Sequence, residues 1–417
     1  EAYLKRGGYE GARKALKNYK PEEVTEYVKK ANLRGRGGAG FPAGMKWSFI
    51  PKTDKPKYLC VNADESEPGT FKDRQIMAWD PHLLLEGIMI CCYAIDCHHA
   101  YIFVRGEFTR EIRVLREAIK ELHAKGWLGD KTLDANFKLD ITVTGGAGAY
   151  ICGEETGLIS AQEGGRAYPK IKPPFPAVEG FFRNPTIVNN VETLACVGPI
   201  FARGVEWFTG IGPKGSPGPK LFCLSGHVKR PGHYEAPMGI PLRELIYGAQ
   251  YGQGVIGELK AVIPGGSSMP VFTKDKLDTP MDMDSVKAAG SFLGSAGVIV
   301  MNESTCMVNA LYNLSRFYHH ESCGQCTPCR EGTGWLERVL HRVEFGHGHE
   351  GDLDLLNNVA SQMERKTICF LADSIVMPVH SYIKQFREEF EYHIQHKRCM
   401  TGTPAGVFPF ANELQTV

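Results

Sequence analysis

The sequence has no apolar run long enough to cross a lipid bilayer, and it has almost no net charge. Its most apolar stretch, residues 81–95, contains Glu86 and falls short of the roughly 20 apolar residues that a spanning helix needs. With 48 basic and 47 acidic side chains the net charge is +1, so no overall field attracts nucleic acid or an anionic membrane surface. These absences predict a protein with no direct membrane insertion and no nucleic-acid partner.

A secretory leader and a disulfide framework are also missing. The first residues, Glu1 to Lys5, lack the apolar core of a signal peptide. Since the chain does not begin with Met, we expect a leader segment to be missing from this sequence. The 13 cysteines are an odd number, which does not suit a set of disulfides in a chain without a secretory signal. They indicate a reducing compartment in which some thiols serve as metal ligands.

What the sequence does have is an alternation of short apolar runs and helical stretches. Strand-like and helix-like segments follow one another as 58–61, 82–96, 100–104, 110–124 and 139–143. This order predicts a Rossmann-like α/β domain with a mainly parallel sheet over residues 34–218. Residues 1–33 before it are charged and predict an N-terminal helical segment.

Two further units follow a Gly- and Pro-rich linker at 205–219. In residues 219–302 the predicted elements are strands 221–225, 232–236 and 259–263 and a short helix 241–247. That order resembles a β-grasp (ubiquitin-like) domain. In residues 303–417 helical periodicity dominates, at 304–320, 328–345, 352–364 and 378–396, and predicts a helical bundle.

The strongest chemical signal is the motif Cys323-Gly-Gln-Cys326-Thr-Pro-Cys329. Three thiols at this spacing can reach three irons of one cubane, and Cys369 in the bundle can supply the fourth ligand. Thr327 is predicted as a helix N-cap, so that the positive end of the helix faces an anionic cluster. The pattern predicts a [4Fe–4S] cluster. Zinc, which usually uses two separated Cys-x2-Cys pairs, and unligated core thiols are the alternatives.

A second group of possible ligands consists of Cys91, Cys92, Cys97, His98 and His99. Because Cys91 and Cys92 fall inside an apolar helical stretch, we interpret these thiols as small hydrophobic core residues, with a metal site as the alternative.

The loop at residues 34–41 contains a G-x-G-x-x-G match, with Lys46 close behind. A helix rather than a strand precedes it, which is not the Rossmann arrangement. Its backbone amides could nevertheless meet phosphate groups, and a merely flexible loop is the alternative.

Two other loops follow predicted strands, where α/β folds build their sites. Residues 144–156 lead from a strand into a helix, as phosphate-binding loops do. Glu154 and Glu155 in this loop could accept hydrogen bonds from ribose hydroxyls, and their charge would then disfavour the 2′-phosphate of NADPH. The alternative is that they cap the helix. In residues 62–70, Asn62 and Asp64 could hydrogen-bond a flavin, or the segment could be a solvated acidic turn.

Taken together, these motifs resemble the NADH-binding flavoprotein subunit of respiratory complex I, the F-subunit family of NADH-quinone oxidoreductase. The resemblance extends over residues 31–396 and rests on six segments in the family's order: 34–42, 62–69, 146–155, 172–176, 189–193 and 322–330. It implies FMN, one [4Fe–4S] cluster and NADH as cofactors. It also implies hydride transfer from NADH to FMN and single-electron transfer through the cluster toward quinone.

The resemblance further implies roles for individual residues. The FMN site would consist of Gly35, Arg36, Gly37, Gly38, Lys46, Asn62, Asp64, Gly153, Glu154, Asn189, Asn190 and Thr193. The NADH site would consist of Phe41, Phe49, Glu155, Lys172, Phe175 and Ser267, with Glu67 and Tyr150 as the catalytic residues near the nicotinamide. The cluster ligands would be Cys323, Cys326, Cys329 and Cys369.

The implied partners are other complex I peripheral-arm subunits, namely the [2Fe–2S] thioredoxin-like subunit and the large multi-cluster iron–sulfur subunit. The implied location is the cytoplasmic face of the bacterial inner membrane, or the matrix side if the source is eukaryotic. Ser66 and Phe71 stand where mitochondrial members have Gly and Cys, which favours a bacterial source.

Diaphorase subunits of NAD-dependent hydrogenases and formate dehydrogenases share the same motifs, so such a subunit is the alternative. Many of them carry added ferredoxin-like segments, whereas this chain has no further Cys-x2-Cys sets. A non-catalytic cluster scaffold would not need three nucleotide-type loops.

Overall fold

The structure is a computed structural model that describes residues 1–402, and its first four strands form one parallel sheet. The strands are β1 (Tyr58–Ala63), β2 (His99–Val104), β3 (Asp140–Gly145) and β4 (Thr186–Asn190). They are ordered β3-β2-β1-β4, and each neighbouring pair is parallel. The chain therefore runs outward from β1 to β3 and then returns to the other side of β1. Such a reversal opens a crevice at the carboxyl ends of β1 and β4, where open α/β sheets bind ligands.

Helices pack on both faces of this sheet, because successive side chains of a strand point to opposite sides. Leu59 and Val61 of β1 belong to the larger core, whereas Cys60 packs in a smaller core with Leu158. The helices of this region are α1 (Ala2–Lys5), α2 (Glu10–Asn18), α3 (Pro21–Lys30), α4 (Ala43–Trp47), α5 (Asp73–Trp79), α6 (Pro81–Ile95), α7 (Thr109–Ala124), α8 (Glu155–Gln162), α9 (Val191–Ala195), α10 (Val197–Arg203) and α11 (Val205–Thr209).

The N-terminal helices share the larger core with the sheet. Tyr9 and Val28 are buried in it, and Glu86 of α6 anchors the start of α2. The Glu86 carboxylate accepts hydrogen bonds from the backbone amides of Tyr9 (3.0 Å) and Ala12 (2.9 Å). This buried carboxylate explains the one charge in the apolar stretch 81–95, since it satisfies amides that the helix leaves unpaired.

The second sheet has the mixed topology of a β-grasp domain. Its elements are β5 (Pro219–Gly226), β6 (Gly232–Pro237), α12 (Leu242–Tyr247), β7 (Leu259–Ile263), α13 (Met283–Ala288) and β8 (Gly297–Asn302). The order is β6-β5-β8-β7, with β5 and β8 parallel at the centre and antiparallel strands at both edges. The predicted strands and short helix are present, and β8 and α13 are additional.

Four helices form the C-terminal bundle: α14 (Met307–His320), α15 (Thr327–Glu344), α16 (Asp352–Met363) and α17 (Leu371–His396). The prediction that the last helix begins at residue 378 is wrong, because α17 begins seven residues earlier and passes through Pro378. The prediction of Thr327 as N-cap is also wrong, since that position is taken by Cys326. Residues 403–417 of the predicted bundle region lie outside the described residues. Within residues 1–402, no helix is both long and apolar enough to cross a membrane.

Candidate functional site

The glycine-rich loop between α3 and α4 folds back on itself beside the end of β4. Its ends are tied by a hydrogen bond from the Gly35 amide to the Phe41 carbonyl (3.0 Å). A Cβ at Gly37 would lie 2.9 Å from the Cβ of Asn190, whereas a Cβ at Gly38 would have no atom within 4 Å. The loop backbone therefore packs closely against the side chain of Asn190 at Gly37, whereas, within residues 1–402, the space beside Gly38 is empty of protein atoms. This cradle fits a phosphate group held by backbone amides.

Several residues predicted to line the flavin tie this loop and the neighbouring helices to the end of the sheet. Thr193 Oγ1 accepts a hydrogen bond from the Arg36 amide (2.8 Å), and Asn189 Oδ1 accepts one from Trp47 Nε1 (2.7 Å). Asn190 caps α9 by accepting from the amide of Thr193 (3.4 Å). The Arg36 side chain is fully buried and donates to the Pro217 carbonyl (2.8 Å). Thr193 and Arg36 therefore hold the loop, Asn189 holds α4, and Asn190 holds the start of α9.

Asn62 and Asp64 connect the end of β1 to the second nucleotide-type loop. Asn62 Nδ2 donates to the Gly153 carbonyl (2.8 Å), and Asn62 Oδ1 accepts from the Asp64 amide (3.1 Å). Burial raises the pKa of the Asp64 carboxyl to about 7, although Ser66 and Arg105 act against this rise. Asp64 is thus a desolvated carboxyl at the carboxyl end of the sheet, suited to hydrogen-bond a polar ring edge in either protonation state.

Glu154 and Glu155 have different tasks. One oxygen of Glu154 caps α8 by accepting from the amides of Thr156 (2.8 Å) and Gly157 (2.9 Å), so the capping alternative is correct for this residue. Glu155 lies between two ammonium groups, 2.7 Å from Lys172 Nζ and 3.4 Å from Lys46 Nζ. Burial alone would raise the pKa of Glu155, but these lysines outweigh it and lower the pKa. Glu155 is therefore a fixed negative charge.

Three exposed aromatic rings lie on the two segments that bear these lysines. The rings of Phe41 and Phe49 have centroids 5.9 Å apart, with an interplanar angle of 47°. Their exposed fractions are 45% and 50%, and Phe175, close to Lys172, is 57% exposed. Large apolar rings left in solvent near charged groups suit the stacking of a nucleobase.

Glu67 is held at the junction of all three units. Its carboxylate accepts from Tyr150 Oη (2.7 Å), from the Ser268 amide (2.8 Å) and from Ser267 Oγ (3.3 Å). Ser267 Oγ also bonds Tyr318 Oη of α14 (2.7 Å). Burial and the Glu67 charge raise the pKa of Tyr150. The phenol therefore stays protonated and donates its hydrogen bond to Glu67. The arrangement gives a carboxylate of fixed orientation beside the nucleotide loops.

A buried ionic network beneath the glycine loop was not predicted from the sequence. Glu192 of α9 lies 2.6 Å from Lys220 Nζ of β5 and 3.0 Å from Lys72 Nζ. Lys72 also pairs with Asp73 (2.8 Å). Glu65 accepts from the amides of Lys72 and Asp73, both at 2.8 Å, where α5 begins. The network joins the α/β domain to the β-grasp domain. The only sequence feature that pointed to this network is that Glu192 lies in 189–193, one of the six segments that carry the family resemblance.

The four cysteines of the predicted cluster converge at the start of two helices. Cys326 is the N-cap of α15, and Cys329, in its first turn, is buried. Cys369 lies just before α17, which begins at Leu371. Burial raises the pKa of Cys329 to about 11 and that of Cys369 to about 12, and Cys323 and Cys329 contribute to the rise at Cys369. The sulfurs are thus close enough to influence one another.

The arrangement of these sulfurs does not match a single zinc ion. A tetrahedral zinc with bonds of about 2.3 Å would hold its sulfurs about 3.8 Å apart. Within the described part of the chain, no three of the four predicted sulfurs lie inside 4.8 Å of one another. A cubane holds its thiolates on separate irons and hence farther apart. The positive ends of α15 and α17 also suit its negative charge.

The other candidate ligands at Cys91 to His99 do not form a metal group within residues 1–402. Cys91 and Cys92 are fully buried in α6, and Cys97 is buried beside it. The interpretation of these thiols as core residues therefore holds.

The cluster segment touches the nucleotide site directly. The Tyr150 amide donates to Glu321 Oε2 at 2.9 Å, two residues before Cys323. Glu154 is near enough to Cys369 to raise the pKa of that thiol. The nucleotide loop and the four cysteines are therefore parts of one continuous site.

Family models match the three units of this arrangement. The Nuo51 FMN-binding domain matches residues 28–199, and the SLBB domain matches residues 220–300. The NADH-ubiquinone oxidoreductase-F iron-sulfur binding region matches residues 309–393. The first match contains the three nucleotide-type loops, and the last contains all four cysteines. The predicted fold class and the predicted cofactors, FMN, a [4Fe–4S] cluster and NADH, are thereby confirmed.

Curated relatives extend over nearly the whole chain. The second NADH-quinone oxidoreductase F subunit of Rhizobium meliloti (strain 1021) is 55% identical over 394 residues, which are 94% of this chain and 94% of that protein. The chain belongs to the F-subunit family of NADH-quinone oxidoreductase. The F subunit of Streptomyces coelicolor (strain ATCC BAA-471 / A3(2) / M145) is 51% identical over 96% of this chain and 89% of its own length.

The fold of this family also occurs in a solved hydrogenase. An NAD+-reducing [NiFe]-hydrogenase in its air-oxidized state superposes with a TM-score of 0.82 and 34% identity over 90% of this chain. The chain spans 63% of the length of that hydrogenase chain.

In this member of the F-subunit family, Gly37→Ala should weaken FMN binding about tenfold to a hundredfold. The added Cβ would meet Asn190 Cβ at 2.9 Å, and overpacking of this kind costs about 1–3 kcal/mol. Ultrafiltration of the purified protein with FMN measures the change. The matched control is Gly232→Ala in β6, whose Cβ would make only ordinary contacts. Equal FMN affinity in the two variants would contradict the cradle.

Proposed function

We propose that this chain is the NADH-oxidising subunit of a complex I type NADH:quinone oxidoreductase. It would receive electrons from NADH at FMN and pass them singly through its [4Fe–4S] cluster to neighbouring subunits. Membership of the F-subunit family supports the activity, and the residue roles below are our assignments.

The observation that carries this proposal is the contact between the nucleotide loop and the cluster loop. The hydrogen bond from the Tyr150 amide to Glu321 (2.9 Å) joins segments that lie 171 positions apart. A redox-active ring held by the first segment would therefore lie next to a cluster held by the second. Electron transfer between two cofactors requires such proximity, whereas a simple cluster scaffold does not.

Bound FMN would supply the chemistry, since a flavin accepts a hydride from NADH and gives up electrons one at a time. The chain's task is to bind, orient and shield the two nucleotides. Gly35, Gly37 and Gly38 would hold the phosphate end of FMN through backbone amides. Asn62, Gly153 and Asp64 would line the polar edge of the ring, and Glu67, oriented by Tyr150, would position the nicotinamide.

The NADH adenosine would lie between the exposed rings and the charged residues behind them. Phe41, Phe49 and Phe175 offer apolar faces for the adenine. Glu155 would accept hydrogen bonds from the ribose hydroxyls, while Lys46 and Lys172 fix its position. A 2′-phosphate in this place would meet a fixed negative charge, which favours NADH over NADPH.

The test of the function is anaerobic addition of NADH to the purified holoprotein. We expect a yellow protein containing FMN and cluster iron, whose flavin absorption bleaches with NADH and far more slowly with NADPH. A protein that binds no FMN after reconstitution, or whose flavin NADH does not reduce, would contradict the proposal.

Glu155→Gln should relax the preference for NADH. The substitution removes the charge that opposes a 2′-phosphate and leaves two ammonium groups, Lys46 and Lys172, to attract it. Hydrogen bonds to charged groups contribute about 1.5–3 kcal/mol, so the ratio of kcat/KM for NADH over NADPH should fall about tenfold to a hundredfold. Glu179→Gln, at an exposed position nearby in sequence, is the control. An unchanged ratio would refute the ribose role of Glu155.

Assembly with other complex I subunits follows from membership in the family. We assign the [2Fe–2S] thioredoxin-like subunit and the large multi-cluster iron–sulfur subunit as its direct partners. We place the chain in the peripheral arm, at the cytoplasmic face of a bacterial inner membrane.

A diaphorase subunit of an NAD-dependent hydrogenase or formate dehydrogenase is the second candidate. The likeness to the NAD+-reducing [NiFe]-hydrogenase chain favours it, but the curated relatives at 55% and 51% identity are named as NADH-quinone oxidoreductase subunits. Purification of the chain from its source with its bound partners distinguishes the two. Recovery of quinone-reducing complex I subunits supports our choice, and recovery of a hydrogenase or formate dehydrogenase large subunit overturns it.

A further inference from the structure

Three possible metal ligands that neither the nucleotide site nor the cluster uses meet near the end of α17. The ligand atoms of Cys306, His393 and Cys399 all lie within 4.8 Å of one another. Cys306 Sγ is 3.3 Å from His393 Nε2. The three residues are only 4%, 1% and 8% exposed. Core packing accounts for buried cysteines, but it does not account for a buried imidazole directed at two thiols.

The ligands come from segments that are far apart in sequence. Cys306 is the N-cap of α14, and its sulfur accepts a hydrogen bond from the Asn309 amide (3.4 Å). His393 lies in the last turn of α17, and Cys399 lies in the chain that follows this helix.

A buried carboxylate lies close to the imidazole. Glu344 Oε2 is 3.9 Å from His393 Nδ1, which is farther than a direct hydrogen bond, and Glu344 Oε1 accepts a hydrogen bond from Asn309 Nδ2 (2.8 Å). Metal-ligating histidines almost always direct their second nitrogen to a carboxylate, carbonyl or water, which leaves the first nitrogen available to the ion. Here Nδ1 faces the carboxylate and Nε2 faces the sulfur.

We propose that Cys306, His393 and Cys399 bind one thiophilic divalent metal ion of the zinc type. Tetrahedral zinc with its usual bond lengths places sulfur and nitrogen ligands about 3.6 Å apart and two sulfurs about 3.8 Å apart. The observed 3.3 Å between Cys306 Sγ and His393 Nε2 lies about 0.3 Å below the first value, and the upper limit of 4.8 Å on all three separations accommodates the second. A water or hydroxyl oxygen completes the fourth position. Binding displaces the thiol protons to solvent, so it is charge-balanced.

This site is separate from the predicted iron–sulfur cluster. Cys369 precedes the first turn of α17, whereas His393 lies in its last turn. At a rise of 1.5 Å per residue, the helix separates them by roughly 35 Å. The ion therefore does not take part in electron transfer from FMN to the cluster. The bound ion would link the segment after α17 to the N-terminus of α14, which lies close to the end of β8 in sequence.

The experiment is elemental analysis of the purified holoprotein, expressed with zinc available and kept anaerobic. We expect one zinc per chain besides the cluster iron. Zinc-edge X-ray absorption should give sulfur ligands near 2.3 Å and nitrogen or oxygen ligands near 2.0–2.1 Å. Cys399→Ala, Cys306→Ala and His393→Gln should each reduce bound zinc at least tenfold while the iron content and the flavin absorption stay unchanged.

Cys97→Ala is the matched control, because it removes a buried thiol outside this group and should retain the zinc. If Cys306→Ala does not fold, Cys399→Ala remains decisive, since this residue lies beyond the end of α17. Absence of zinc from the wild type, zinc retained in the ligand variants, or an oxygen-only ligand shell would overturn the proposal. A Cys306–Cys399 disulfide in the anaerobic protein would overturn it as well.

Discussion

Cys369→Ala is expected to abolish the paramagnetic signal of the reduced cluster and to leave reduction of FMN by NADH largely intact. Cys369 is the only one of the four proposed ligands that lies next to α17, and the other three come from the loop before and the first turn of α15. Without it one iron of the cubane has no protein thiolate, and the integrated signal should fall below about a tenth of the wild-type value. The nucleotide loops belong to another segment, so flavin reduction should continue.

Electron paramagnetic resonance after reduction with dithionite measures the amount of reduced cluster. The loss of flavin absorption after addition of NADH measures the reduction of FMN. Cys97→Ala, which removes a buried thiol beside α6, should keep both signals. A wild-type cluster signal in Cys369→Ala would show that the fourth ligand lies elsewhere.

Glu192→Gln should destabilise the protein by about 3–5 kcal/mol, the usual cost of breaking a buried ion pair from one side. The substitution leaves the ammonium groups of Lys72 and Lys220 buried with one carboxylate fewer. Burial, together with the neighbouring Lys72 ammonium, already holds the pKa of Lys220 near 8, although Glu192 raises it. We expect the urea midpoint to fall by about 1–2 M, as read from near-ultraviolet circular dichroism.

The control is Glu22→Gln, which removes an exposed pair with Lys52 (3.9 Å) and should change stability by less than about 0.5 kcal/mol. Burial alone would raise the pKa of Glu192, but Lys220 and Lys72 lower it to about 2. The folded pKa is below the usual 4.5, so the stabilisation is present above pH 4.5 and is lost as the pH falls toward 2. Equal midpoints for the two variants at pH 7 would contradict the network's role.

Features that depend on local sequence were predictable. The strands at 58–61 and 100–104 and the helix after the loop at 144–156 are present because apolar periodicity and glycine placement act over a few residues. The spacing of Cys323, Cys326 and Cys329 also favours a [4Fe–4S] cluster over zinc, because three thiols so placed can reach three irons of one cubane.

Features that depend on contacts between distant residues were not predictable. The hydrogen bonds of Thr193 to the Arg36 amide and of Asn189 to Trp47 join distant segments, and no local pattern indicates them. The ion pair of Glu192 with Lys220 joins two domains, and no local pattern indicates it.

Helix ends and distant side-chain groups were missed for similar reasons. The helix predicted over 378–396 begins too late, because α17 begins at Leu371 and continues through Pro378. Cys306 and Cys399 are 93 residues apart, and only the folded chain places them beside His393.

We expect electrons from NADH to reach the cluster only through FMN in the cradle at Gly37. The most direct test is electron paramagnetic resonance of samples frozen after anaerobic mixing with NADH, comparing FMN-replete protein with the same protein stripped of FMN. We predict a reduced-cluster signal in the replete protein, none in the stripped protein, and recovery of the signal when FMN is restored. A cluster that NADH reduces equally well without FMN would contradict the account.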